Sequence, residues 1–150
     1  MNPDGFWKLI KLVDIQTLDD GDEESALEKL TATLATLNEE QQQGFEERMA
    51  QLLYDLDGKI YADNAGQSGQ SGDGFLYCRC YVVAQGKKFY EAVLANPAKM
   101  PKSLDQWCES LLYVAQRAWV EATGNDEDEW GYIPSVSYES GSNKEAWKET

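Results

Sequence analysis

The sequence contains no histidine, only three cysteines, and 13 basic residues against 27 acidic ones. Each shortage removes a class of chemistry. Without histidine there is no Ser-His or Cys-His nucleophile and no imidazole base near neutral pH. Most zinc and iron sites also lose a common ligand. Carboxylate-only catalysis and magnesium-assisted chemistry survive, but no spacing points to them. An odd, small number of cysteines, Cys78, Cys80 and Cys108, fits reduced thiols in a reducing compartment. Cys78-Arg79-Cys80 has the look of a metal motif. Zinc, however, takes about four Cys or His ligands, usually as spaced pairs. Cysteines packing as small apolar residues is the better reading, so no metal and no cofactor is expected. No apolar run approaches the roughly 18 residues that cross a bilayer. The opening MNPDGFWKLIKLV has too short an apolar part for a secretory signal, and an acid precedes its first lysine. A cytoplasmic protein with no membrane association is expected.

What is abundant is acid. The formal net charge is −14, and it is unevenly placed. Residues 1–57 carry 14 acids and 4 bases, residues 58–124 carry 6 and 7, and residues 125–150 carry 7 and 2. Both ends are acidic around a neutral middle. Such a field repels nucleic acid and anionic membrane and attracts basic partners. The plain alternative is that the acids keep a small protein soluble. At 150 residues the chain is expected to be a single globular domain, 1–150, with 125–150 as a peripheral tail.

The chain reads as mainly helical segments. FWKLIKLV, residues 6–13, has Phe6, Ile10 and Val13 on one face, with Asp4 as cap. Residues 16–22 read as an acidic loop. From Glu23 to Leu37, the spacing of Ala26, Leu27, Leu30, Leu34 and Leu37 makes one apolar stripe. Acids at its start suit the helix dipole. Asn38 opens a second helix with a variant of the capping box, running to about Ala62 with Gly58 as a weak point. The short link predicts an antiparallel hairpin. Residues 63–74, DNAGQSGQSGDG, read as a break without regular structure. The break lacks the Gly-Lys-Ser/Thr of a phosphate loop. Asp73 or Ser71 is placed to cap the next segment. That segment, FLYCRCYVVA (residues 75–84), fits a strand or a buried helix by pattern alone. Lys87 to Leu94 resumes helical spacing and stops at Asn96-Pro97. Ser103 is read as the cap of a helix buried through Leu104, Trp107, Cys108, Leu111, Leu112, Ala115 and Trp119, ending at Thr123-Gly124. Residues 125–129 form an acidic loop, 130–138 an extended edge, and 143–149 a short helix.

Several of these residues carry a resemblance. Phe6-Trp7, the turn Ser71-Gly72-Asp73-Gly74-Phe75, then Tyr77, Arg79 and Gln85-Gly86 are its first part. Tyr90, Ala92, Leu94 and Pro97 continue it, and Leu112-Tyr113-Val114-Ala115 with Thr123-Gly124 close it. In these the chain resembles a bacterial family catalogued as domain of unknown function 4240, over about residues 6–124. Gly72 stands where that family's turn has an acid, and Cys78 and Cys80 replace bulkier residues. The resemblance implies a mostly helical fold and tips residues 75–84 towards helix. It implies no activity. The expected architecture is therefore all-α, a compact bundle of about five helices with an irregular acidic C-terminal segment.

Two groups of residues are candidates for function. Asp73, Tyr77 and Arg79 would form a polar pocket at a helix mouth. The plain alternative is a cap plus an arginine paired with a neighbouring carboxylate. Asp19, Asp20, Asp22, Glu23 and Glu24, with Asp126, Glu127, Asp128, Glu129 and Trp130, would form a partner-binding surface. The alternative there is a tail clasping the domain. The leading expectation is a non-enzymatic binding protein, an immunity protein or antitoxin that neutralises a basic, secreted bacterial toxin such as a nuclease. An enzyme using Asp73 with Glu91 or Glu109 is a competing reading. A scaffold domain binding through its neutral central helices is a third.

Overall fold

The computed structural model describes residues 1–148, and among them the chain is all-α, with nine α-helices and no strand. Five of the nine have nine or more residues. The shorter helices arise where local capping was not visible as periodicity. Helix α1 (Pro3–Ile10) is capped by Asn2, not Asp4, and Pro3 supplies its first turn. Helix α2 (Ile15–Asp19) occupies the expected acidic loop. Asp14 caps it by accepting from the Thr17 amide at 3.1 Å, and Leu18 anchors it in the core. Helix α3 (Glu23–Ala35) is capped by Asp22 and buries Ala26, Leu27, Leu30 and Leu34.

Helix α4 (Glu39–Asp55) opens with a complete capping box between Asn38 and Gln41. It does not run on to Ala62. The chain turns at Asp57-Gly58 and restarts as α5 (Lys59–Asp63), because the Asp57 side chain is buried and fully engaged elsewhere. The glycine-rich break contains a 3₁₀ turn, Gly66–Gln70. Glycine is needed there for close approach: a Cβ on Gly69 would sit 1.9 Å from the Ala62 carbonyl oxygen.

Helix α6 (Gly72–Ala84) resolves the strand-or-helix ambiguity. Ser71 caps it, with its hydroxyl accepting from the Gly74 amide at 2.9 Å. Ten of its 13 residues are buried, so it is the central post of the fold and offers a partner little surface. Cys78, Cys80 and Cys108 are buried, free thiols. Burial pushes the thiols of Cys78 and Cys108 up to about 12, so they act as apolar filler.

Helix α7 (Lys87–Ala95) follows Gly86, whose φ of +106° suits only glycine. The expected helix from Ser103 is absent over residues 103–108. Its Leu104 is 47 % exposed. The Cys108 amide donates to the Tyr77 carbonyl of α6, and the Trp107 indole to Ser68, so the segment crosses α6 instead of coiling. A 3₁₀ turn, Glu109–Tyr113, then leads into α8 (Val114–Thr123). Helix α8 packs along α3 and across α4 and ends at Gly124 with φ +73°. Residues 130–138 are irregular, and α9 (Lys144–Trp147) is the last helix. Glu149, the end of the expected last helix, lies outside the described residues. No helix among the described residues is long and apolar enough to cross a membrane.

Candidate functional site

The acidic residues at the end of α2 and the start of α3 are exposed, apart from the half-buried Glu23, but not idle. Asp19 accepts from the Tyr81 hydroxyl at 2.8 Å, Asp20 from the Gln16 amide at 3.1 Å, and Asp22 caps α3. Glu23 accepts from the Ser110 amide at 2.9 Å, joining α3 to the turn before α8. Glu24 faces out and lines an open groove of about 440 Å³ between α3 and α8. Glu28 and Glu121 line it too, with Arg117 beside them. Sequence reading missed Glu28 and Glu121, which become neighbours of Glu24 only when α3 and α8 pack together. None of the three carboxylates has an ion-pair partner among the described residues.

The second acidic cluster, Asp126 to Glu129, is a 3₁₀ turn capped by Asp126. It is exposed and flanks α8 on the side of Gln116, which donates to the Glu127 carbonyl at 2.9 Å. Gln116 and Arg117 are successive residues, so this cluster and the groove stand about 100° apart around α8. Trp130 is half-buried. Its indole donates to Glu46 at 3.0 Å and its rings lie against Trp119 and Tyr132.

Beyond Trp130 the chain straps itself along α4. Glu47 accepts from the Tyr132 hydroxyl and from the amide and hydroxyl of Ser135. Asp57 is fully buried and accepts from the Gly141 and Asn143 amides and the Trp147 indole, at 2.7–3.0 Å. With the Trp130 bond, seven donors of the strap end on three carboxylates of α4 and its C-terminal turn.

Arg79 is the largest fully buried side chain. Its Nη1 donates to the Leu53 carbonyl at 2.7 Å. Its Nη2 donates to the Tyr138 carbonyl and the Ser140 hydroxyl, each at 3.0 Å. The guanidinium lies 4.6 Å over the Phe75 ring. Burial lowers its pKa, and the nearby Asp57 charge opposes that. The expected carboxylate partner is thus replaced by two backbone carbonyls and a serine, with Asp57 acting at longer range. The strap serves both buried charges at once, since Ser140 and Gly141 are adjacent.

Asp73 is not part of this arrangement. It is exposed in the first turn of α6, and Arg79 leaves the opposite side of the helix from Tyr77. Tyr77 packs edge-to-face against Trp107 with ring centres 5.5 Å apart. Burial raises its hydroxyl pKa, with the Glu109 and Asp73 charges adding to the rise. Glu109 itself accepts from the Tyr113 hydroxyl at 2.8 Å. Glu91 lies elsewhere, on α7, so Asp73 and Glu109 share a neighbourhood that Glu91 does not. Among the described residues no three His, Cys, Asp or Glu side chains are grouped to hold a metal ion.

A family model described as a protein of unknown function, DUF4240, matches residues 1–121. The chain belongs to the DUF4240 family. No curated protein and no solved structure matches it. The DUF4240 match covers α1 to α7 and most of α8, and therefore both walls of the α3–α8 groove and the buried Arg79 and Asp57. It stops before the acidic turn and before the strap, which supplies hydrogen bonds to both of those charges.

Proposed function

We propose that this DUF4240 protein is a small acidic binding protein of the cytoplasm that engages a basic protein partner, as an immunity protein or antitoxin blocks a cationic toxin such as a nuclease. It has no catalytic task of its own in this reading. The observation that supports it is the α3–α8 groove, where Glu24, Glu28 and Glu121 face solvent without ion-pair partners among the described residues and Arg117 is the nearby cation. An acid that caps a helix or holds a neighbour has a structural reason to be there. Glu28 and Glu121 have none among the described residues, and Glu24 has only its place in the first turn of α3, which suits the helix dipole. Exposed carboxylates on a fixed helical surface speed encounter with a cationic partner and select against anionic ones. The exposed turn Asp126 to Glu129 extends the negative field beside α8. Trp130 supports that turn from within the fold and is not assigned a direct contact. Asp19, Asp20, Asp22 and Glu23 contribute field more than contact, since each already holds a local donor.

Charge reversal separates the two surfaces. The triple substitution Glu24→Lys/Glu28→Lys/Glu121→Lys is expected to slow association with a basic partner by at least about tenfold at low salt. Asp126→Lys/Asp128→Lys/Glu129→Lys is expected to slow it less. Unchanged association by both variants, with folding intact, contradicts the assignment.

A further inference from the structure

One region of the molecule has the opposite character to the rest. A groove of about 460 Å³ opens where the end of α1 meets the turn between α6 and α7. Trp7 forms its apolar side. Lys11, Lys87 and Lys88 stand around it, with Glu91 as the carboxylate present. Three lysines against one carboxylate is a local excess of positive charge in a chain of net charge −14.

The groove also holds an unmet donor. The Gln85 side chain lines this groove, and its buried amide nitrogen has no hydrogen-bond partner among the described residues. A buried amide left unpaired costs about 1–3 kcal/mol, so such groups normally have a partner. A ligand acceptor would supply one. The lysines are placed at a further local cost. Lys87 and Lys88 occupy the first turn of α7, where the helix dipole disfavours cations. The longer helices α3, α4 and α6 instead begin with acids. Gly86 precedes α7 and has no side chain to cap it, so the first amides of α7 have no side-chain acceptor. Among the described residues the one ion pair these lysines make is an exposed Lys87–Glu91 contact at 4.0 Å, which is weak. Lys11 and Lys88 have no ion-pair partner among the described residues.

We propose that this groove binds a small organic anion, its phosphate or carboxylate held by Lys11, Lys88 and the Gln85 amide and its apolar body against Trp7. The chemistry is that of a mixed site, with an aromatic wall for burial and a few convergent donors for orientation. It lies apart from the acidic groove between α3 and α8 and does not depend on it.

Phenyl phosphate is the probe, with inorganic phosphate and phenol as its two halves. The full-length ¹⁵N-labelled protein is titrated and its amide, side-chain amide and indole signals are followed. Saturable shifts are expected at the Gln85 side chain, the Gly86 to Lys88 amides and the Trp7 indole, with phenyl phosphate binding about tenfold more tightly than either half. Lys11→Glu/Lys88→Glu is expected to weaken binding by about tenfold or more, with thermal stability unchanged. Lys99→Glu, off the groove, is expected to leave binding unchanged. Gln85→Leu, which keeps the charges, is expected to lose part of the affinity. Non-saturating shifts spread over many surface lysines would overturn the proposal. So would equal binding of inorganic and phenyl phosphate, or indifference to the Lys11 and Lys88 reversals.

Discussion

Glu46 and Glu47 are neighbours in sequence with opposite fates. Glu46 turns into the core. Burial raises its pKa, and the Trp130 indole bond only partly offsets that. Burial also acts to raise Glu47, but donors from Ser135, Tyr132 and Gln51 outweigh it and hold the carboxyl at about 2, below its ordinary 4.5. The two therefore affect stability with opposite sign. The Glu47 contribution is present above pH 4.5 and fades as pH falls towards 2. Glu46 favours the folded state below its ordinary value, and that advantage is lost as pH rises through its raised one. Glu47→Gln is accordingly expected to cost roughly 1–3 kcal/mol at pH 7, because it loses charge-assisted bonds to the strap. In urea unfolding, the gap from wild type should close between pH 4.5 and 2. Glu46→Gln keeps an acceptor for Trp130, removes a buried charge, and is expected to be neutral or stabilising at pH 7. A larger loss from Glu46→Gln than from Glu47→Gln would contradict this pairing. None of it was legible in the sequence. Glu47 and Asp57 take partners 84 to 90 positions later, from a segment with no periodicity to announce it. Arg79 could be picked out as a cation in an apolar run, but its acceptors were not: two are backbone carbonyls, which carry no sequence signature.

At the scale of elements, helices with one apolar stripe were readable, and α3 and the start of α4 lie close to their expected bounds. Segments ruled by a single capping residue or a close contact were not. Helix α2 depends on the Asp14 cap, and residues 103–108 depend on bonds to Tyr77 and Ser68 that replace helical ones. The resemblance tips residues 75–84 towards helix where pattern alone leaves strand and helix open, and the segment is helical. Composition alone predicts no regular structure in the glycine-rich break. It is instead a tight turn whose glycines let it press on its neighbours. Gly69→Ala tests this, since its Cβ would meet the Ala62 carbonyl oxygen at 1.9 Å and the backbone must move. A loss of roughly 2 kcal/mol is expected by chemical denaturation. Gly131→Ala, with nothing within 4 Å of the new Cβ, is expected to change little. Equal effects would mean the turn is not held by that contact.

Over the whole molecule, charge is partitioned by use. Some acids cap helices, three fasten the strap to α4, and a further set faces solvent with no ion-pair partner among the described residues. That last set carries the proposed interaction with a basic partner. Charge asymmetry between the ends and the middle was visible in the sequence. The α3–α8 groove was not, because it joins residues about 90 positions apart by helix packing. The strap beyond Trp130 supplies hydrogen bonds to the buried Arg79 and Asp57. The most direct measurement is capture by the tagged full-length protein from its own cell lysate at low and at raised salt, with bound proteins identified by mass spectrometry. One basic protein, retained at low salt, released at high salt and lost with Glu24→Lys/Glu28→Lys/Glu121→Lys, is the expected result. Capture of no basic protein, or capture indifferent to both salt and charge reversal, would contradict it.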